Sequence, residues 1–447
     1  MSSETMSTSL DVSFLGALQA SLSVLLTIAV GVAASQFGIL HQGTTKELTS
    51  ACVHIFLPCL LISNLGENLS TASAIRYAPI LIWAVIYTLF SMLFGAILTR
   101  LFKLPSWVTP ALSFNSTTSL PLLLIQSLSS AGILKSLRMS NTDTTSAALN
   151  RGTSYFLVAA IVSNTLTYSL GPRLLDHGET SDPDHAEGKP QSQFKDLPDG
   201  AQRGQQDAQA NGHTNGQATE ETSLLPEYTV RRVAEAQENG YRKSKRVWDR
   251  LGPKTQSILD LLYGFLNAPL VGAVVGAVIG LTPPLHRAFF DHAQHGGFFK
   301  AWLTSCIQSV GKIFAALQVV VVGVKLGNCL RKMKRGEHSG TIQWQPSTIV
   351  LLMRFGILPV ISIFVIYALA TRTNLLPPDP MLLFTLMLMP AGPPATAISS
   401  LTDLNESKPE EKMAVSKFLI VAYIVSPALC FAVVGSLKAS EAVSANR

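Results

Sequence analysis

Ten stretches of about 20 mostly apolar residues recur along this chain, and each is long enough to cross the hydrocarbon core of a bilayer as a helix. They fall at 14–34, 48–66, 78–99, 107–129, 153–174, 258–281, 303–328, 347–369, 381–401 and 414–435. In lipid every backbone polar group must be satisfied within the protein, so runs of this length have helix as their available form. The second, fourth and ninth contain Pro or clustered polar residues and are the weakest by hydropathy. The first is expected to be a span and not a cleaved leader, because no Lys or Arg precedes Lys46 and the run exceeds leader length.

Charge is distributed to match. Lys, Arg, Asp and Glu make up 14% of the 447 residues, against roughly 25% in an average soluble domain. Residues 176–257 hold 25 of these charges, 14 acidic and 11 basic, while the other 365 residues hold 37. Such a chain cannot cover a water-facing surface, which excludes a cytosolic enzyme. The reading is an all-α polytopic membrane protein of three parts: a five-helix membrane half at 1–175, a hydrophilic linker at 176–257 and a second five-helix half at 258–447. Arg100, Lys103, Arg173, the run from Arg242 to Arg250, and Arg331, Lys332, Lys334 and Arg335 all flank the side that carries the linker. The bias of basic residues towards cytosolic loops then places the linker in the cytosol and both termini across the membrane.

The linker divides in two. From Asp176 to about Ala218 it has almost no large apolar residue and is expected to be disordered. From Pro226 to Lys254 it turns helical and basic, a solvated lead-in to the sixth span or an interfacial helix held by anionic lipid. Glu220 to Leu225 fits an acidic-dileucine sorting pattern. The five cysteines lie in or beside spans without zinc-like spacing, and His286, His292 and His295 share a loop without a ligand motif. With no phosphate loop, nucleophile elbow or dinucleotide fingerprint, no cofactor or metal is expected. The basic residues follow the membrane face and do not interleave with aromatics, which argues against nucleic acid as a partner; the partners expected are the bilayer and a small solute.

The halves carry a faint internal repeat. A shift of 273 places Pro121 on Pro394, Ile125 on Ile398 and Leu128 on Leu401; a shift of 262 places Ser154 on Ser416, Phe156 on Phe418 and Ala160 on Ala422. The fourth span thus matches the ninth, and the fifth the tenth. An odd number of spans per half requires opposite orientations, the inverted repeat used by many secondary transporters. The matched fourth and ninth spans are also the irregular ones, with Asn115, Ser116, Thr117, Thr118, Ser119 and Pro121 in one and Pro390, Gly392, Pro393, Pro394 and Thr396 in the other. Proline should break both helices there, and broken helices at membrane depth line cavities or lie buried in protein. Half-helix N-termini with free N–H groups suit a carboxylate. The candidate substrate residues are therefore Asn115, Ser116, Thr117, Ser119, Pro121, Pro393, Pro394 and Thr396. Arg354, inside the eighth span, either balances a bound anion, pairs with a carboxylate, or reaches an interface.

These motifs resemble the auxin efflux carrier family, and within it the PIN-LIKES branch and its fungal relatives. The resemblance is carried by N-S-T-T-S-L-P at 115–121 and A-G-P-P-A-T-A-I-S-S-L at 391–401. I-F-L-P-C-L-L-I-S-N-L at 55–65 and N-A-P-L-V-G-A-V-V-G-A-V-I-G at 267–280 add to it. It implies ten helices with crossed, broken fourth and ninth helices, a scaffold of the first, second, sixth and seventh that could form a homodimer, and a moving domain of the other six. It further implies elevator-type alternating access for small organic anions such as indole-3-acetate, and residence in the endoplasmic reticulum; the dileucine pattern points instead to a vacuole, and the plasma membrane is a further alternative. Asn115 is implied as the substrate-polarising amide and Pro121 and Pro394 as the break points. One departure bears on the substrate: Ala397 stands where plant relatives carry an Asn, with Thr396 beside it. With Asp260 and Asp403 near span ends, no intramembrane carboxylate cluster is expected, which favours uniport over proton or sodium coupling. The alternatives are a non-transporting membrane sensor and a sodium-coupled anion symporter.

Overall fold

The computed structural model describes residues 2–70, 74–139, 143–176, 268–292, 294, 296–336, 343–399 and 409–445. The expectations for the linker, for the start of the sixth span, and for Asp260, His295 and Asp403 lie outside the described residues. Among the described residues the protein is helical and has no strand beyond one isolated bridge. The helices are α1 (Ser2–Gln36), α2 (Gly43–Asn68), α3 (Ala78–Leu101), α4 (Val108–Ser113), α5 (Ser119–Ser130), α6 (Thr145–Asp176) and α7 (Ala268–Leu281). They continue as α8 (Pro283–Phe290), α9 (Lys300–Lys334), α10 (Trp344–Arg372), α11 (Pro380–Leu388), α12 (Pro409–Ile424) and α13 (Leu429–Ala445). Among the described residues, six helices are long and apolar enough to cross a membrane unaided, from α1 to the segment ending at Ala445.

The fourth and ninth spans fall short of that length because they break, as the prolines predict. The sixth ends at Leu281, and there α7 turns by 101° into α8, where Thr282 is followed by Pro283 and Pro284. The sequence reading placed that short helix in a loop. The tenth is interrupted at Ser426–Ala428, around Pro427, and runs on past its expected end to Ala445.

Two long helices absorb a proline without breaking. In α2 the turn Cys52–Phe56 precedes Pro58, and in α10 the turn Met353–Ile357 precedes Pro359; both are π-helical, with Leu57 N–H donating to the Cys52 carbonyl and Leu358 N–H to that of Met353. Widening the turn moves the carbonyl four residues back away from the proline ring, which would otherwise clash with it. The second of these turns carries Arg354.

Close approach is the rule for two helix pairs. On α1 and α9, Gly31 and Gly323 face each other so tightly that a Cβ on either would collide with the opposing backbone. Ser35 Oγ donates to Asn328 Oδ1 at 2.8 Å, and Arg331 donates to the Ser35 and Gln36 carbonyls that end α1. On α7, Gly272, Gly276 and Gly280 form one stripe against the α2 backbone from Pro58 to Leu69. In membranes, where lipid is as apolar as leucine, such small-residue contact is a main source of helix association. Asn64 donates its amide to the Leu60 carbonyl of its own helix at 3.0 Å.

Candidate functional site

The motif M-P-A-G-P-P at 389–394 orphans three carbonyls, because Pro390, Pro393 and Pro394 have no N–H to give to residues 386, 389 and 390. Each of these carbonyls is buried in protein and each receives a side chain. Leu386 O accepts from Trp83 Nε1 at 2.9 Å and from Ser362 Oγ at 3.2 Å. Met389 O accepts from Asn115 Nδ2 at 2.7 Å, and that amide also reaches Ala391 O at 3.5 Å. Pro390 O accepts from Arg354 Nη1 at 3.5 Å, while Arg354 Nε donates to Ala111 O at 3.0 Å. Both acceptors of Asn115 are carbonyls, which fixes the orientation of its amide.

Beyond these carbonyls the two broken helices cross. Phe114, between α4 and α5, is extended, and Gly392, at φ +135°, makes the turn after α11. Asn115 and Pro394 then pair as an antiparallel bridge, with Ser116 N–H donating to Pro393 O and Ala395 N–H to Phe114 O, each at 3.0 Å. α5 resumes at Ser119, and the ninth span resumes at Ala397.

A narrow cleft lies beside the crossing, lined by Ser116, Leu120 and Pro121 on one broken helix, Gly392 and Pro393 on the other, and Ser21 of α1. Its free volume for a water-sized sphere is about 20 Å³. Of the sequence-predicted residues, Ser116, Pro121 and Pro393 line this cleft. Asn115 and Pro394 form the crossing itself, while Thr117 and Ser119 are buried within it and Thr396 is half-buried at the start of the second half-helix. Asn115 Oδ1 and Thr117 Oγ1 are buried without a hydrogen-bond partner among the described residues. Asn115 therefore offers an acceptor, its donors being occupied.

Pro121 and Pro394 do not occupy equivalent places. Pro121 is the third residue of α5, in the first turn where a helix needs no N–H, whereas Pro394 stands in the extended crossing ahead of its half-helix. Residue identity alone had aligned them. Arg354 reaches no interface: it is 1% exposed and, among the described residues, forms no ion pair. No cluster of His, Cys, Asp or Glu among the described residues is placed to hold a metal ion.

Sequence reasoning missed a second polar centre. Asp379 is fully buried and caps α11, its Oδ1 accepting Met381 N–H at 3.0 Å and its Oδ2 the Tyr155 hydroxyl at 2.7 Å. Arg151 Nε lies 3.6 Å from the same Oδ2, and its other nitrogens hold Asp143 at 3.1 and 2.6 Å. The signal was present: Asp before Pro at the head of an apolar run is the pattern of a helix N-cap followed by proline at the first helical position.

The profile of a family described as membrane transport proteins matches residues 17–432. The chain belongs to that family. This bears out the resemblance to auxin efflux carriers drawn from its motifs. Among its relatives, an uncharacterized transporter of Schizosaccharomyces pombe is 24% identical over 415 residues, covering 87% of each chain. An uncharacterized transporter of Saccharomyces cerevisiae is 25% identical over 392 residues, covering 86% of this chain and 87% of the yeast protein. Protein PIN-LIKES 7 of Arabidopsis thaliana is 28% identical over 158 residues, covering 34% of this chain and 37% of the plant protein. The protein is thus an integral membrane member of a transporter family.

Proposed function

We propose that this family member is a secondary transporter that moves a small organic anion, an auxin-like carboxylate, by elevator-type alternating access, out of the cytosol or into the lumen of the endoplasmic reticulum. The observation that carries the reading is the cleft at the crossing. Its wall is chiefly leucine and proline with the hydroxyl-bearing residues Ser21, Ser116 and Ser426, a lining suited to an apolar body with one polar group. The free N–H groups opening α5 at Ser119 and Leu120 adjoin it and favour negative charge. The cleft now has room for little more than water, so admitting a solute requires the crossing to move relative to α1, the motion an elevator supplies.

Contacts between the helices support ten spans in two inverted halves. The repeat would exchange the first span with the sixth and the second with the seventh, so α1 on α9 should have a counterpart in α7 on α2, and these are two of the most extensive pairings. α3 packs on α6 as α10 packs on α13, and α3 on α4 as α10 on α11. At the heads of the broken helices Tyr155 meets Asp379, and Trp107 meets Phe418 with ring centroids 4.9 Å apart. The substrate set remains Asn115, Ser116, Thr117, Ser119, Pro121, Pro393, Pro394 and Thr396, with Arg354 supplying positive potential from behind the crossing. The membrane potential, at roughly 2.3 kcal/mol per charge per 100 mV, suffices to drive a monoanion out of the cytosol.

The test is uptake of labelled indole-3-acetate and other aromatic and aliphatic carboxylates by proteoliposomes under an imposed potential. Ser116→Phe, which overfills the cleft from a half-buried position, should lower flux about tenfold or more by abolishing productive binding while the protein stays monodisperse in detergent. Wild-type liposomes that move none of these anions, or a Ser116→Phe variant with full flux, would remove the assignment.

A further inference from the structure

We propose that the Arg354 guanidinium is a tethered cation occupying, behind the crossing, the position that a coupling ion would otherwise take, so that transport requires no co-transported cation. The proposal rests on the transporter reading above and specifies its energetics. α4 and α11 both direct their C-terminal ends at the crossing, and each helix terminus carries the equivalent of roughly half a negative charge. Together they sum to about one unit, which a single guanidinium neutralises. The guanidinium does so by direct contact, giving Nε to Ala111 O at the end of α4 and Nη1 to Pro390 O just past α11. Asn115 takes Met389 O and Ala391 O beside it.

In transporters built on broken helices, unwound carbonyls and half-helix C-termini are the groups that coordinate sodium or protons. Here those groups are occupied by side-chain donors of the chain itself. A lone buried charge costs several kcal/mol unless it is paired. Arg354 is 1% exposed and has no carboxylate partner among the described residues, so the carbonyl ends are its counter-charge. Its place on the π-helical turn before Pro359 directs the side chain at both termini from a third helix.

The experiment compares wild type, Arg354→Gln and Arg354→Lys as full-length protein in detergent, by melting temperature in 10–20 mM guanidinium chloride, sodium chloride or choline chloride. Such amounts are far below those that unfold proteins. Arg354→Gln should melt several degrees below wild type in choline and regain part of the difference in guanidinium, which leaves wild type unmoved; Arg354→Lys should lie between the two. In proteoliposomes, wild-type uptake of labelled indole-3-acetate should be equal in sodium and choline, and Arg354→Gln uptake should rise at least threefold with added guanidinium. Equal melting of Arg354→Gln and wild type, or identical guanidinium responses, would overturn the proposal, as would sodium-dependent wild-type uptake. Should Arg354→Gln yield no folded protein, Arg354→Lys decides: accumulation near wild-type level supports the tethered charge, and its loss as well overturns it. The melting comparison needs no substrate, so a wild type that moves no carboxylate defeats the transporter reading and leaves the charge assignment to stand or fall separately.

Discussion

Removing the Asp379 carboxylate should loosen the head of α11, and with it the crossing that α11 leads into. The cost can be assembled from its contacts. Capping α11 through Met381 N–H is worth about 1 kcal/mol. Deleting the acceptor of the Tyr155 hydroxyl strands a buried donor at about 1–3 kcal/mol. The ion pair with Arg151 adds less than a fully isolated pair would, because Asp143 still holds that guanidinium in two-point contact. Asp379→Ala should therefore cost about 3–5 kcal/mol, in the range for breaking a buried ionic contact. At ~2 °C per kcal/mol for a chain of this size the melting temperature should fall by about 6–10 °C. Asp379→Asn keeps one acceptor oxygen and lets the Tyr155 hydroxyl rotate to accept from the new amide, so it should fall by about half as much. Tyr155→Phe should resemble it. The assay is size-exclusion chromatography of detergent-solubilised protein after heating, with flux in liposomes in parallel. A melting temperature for Asp379→Ala within about 1 °C of wild type, or Asp379→Asn the more harmful of the two, would refute the reasoning.

Asn115→Ala should reduce both flux and stability, since Met389 O and Ala391 O lose their donor at about 1–3 kcal/mol. Asn115→Asp should be worse in a thermal-melt comparison, because it sets a carboxylate oxygen against those two carbonyls. Gly323→Val should prevent α1 and α9 from closing, the added carbons meeting the Ile28 carbonyl and Gly31, and should show as a lower yield of monodisperse protein than the same change at Gly356, where the added Cβ would meet only a leucine side chain. For pH, hydrogen bonding from Arg151 holds the Asp143 carboxyl below its ordinary value of 3.8. Because the folded value is the depressed one, its contribution is complete above pH 3.8 and lost as pH falls through the folded value. Melting followed from pH 6 to pH 3 should drop more steeply for wild type than for Asp143→Asn, and parallel curves would count against the contact.

How far the sequence could be read depended on whether a feature is set locally. An apolar run such as 78–99 becomes a helix in lipid whatever surrounds it, and α3 lies where hydropathy placed it. Proline breaks are local too: the missing N–H groups of Pro390, Pro393 and Pro394 are legible in the chain, and the ninth span opens at that point. The donors that answer those orphaned carbonyls are not local. Trp83, Asn115, Ser362 and Arg354 arrive from three other spans, and nothing in their own neighbourhoods marks them as partners of one loop. Asn115 could be read as a candidate substrate residue because its motif is polar and beside a proline, and as a substrate amide through the family resemblance; that its N–H groups are spent on Met389 and Ala391 emerges only once the crossing is formed.

The same distinction explains why Arg354 and Asp379 fared so differently. A charge inside an apolar run contradicts its surroundings, so Arg354 stood out as an anomaly needing a partner. Asp379 lies in L-P-P-D-P, where an acidic residue is ordinary loop composition, and its burial comes from Tyr155 and Arg151 closing over it from α6. Yet the two do corresponding work at opposite ends of the same half-helix: Asp379 meets the N-terminal N–H groups of α11, and Arg354 a carbonyl freed just beyond its C-terminus. A helix of nine residues has few internal hydrogen bonds relative to its free ends, and in lipid none of those ends can turn to water. A side chain of each sign at the matching terminus is the solution that burial and the helix dipole together require. It follows that the crossing is held by charges fixed to the protein, so that on the reading proposed above a solute anion would enter a site whose electrostatics are already set.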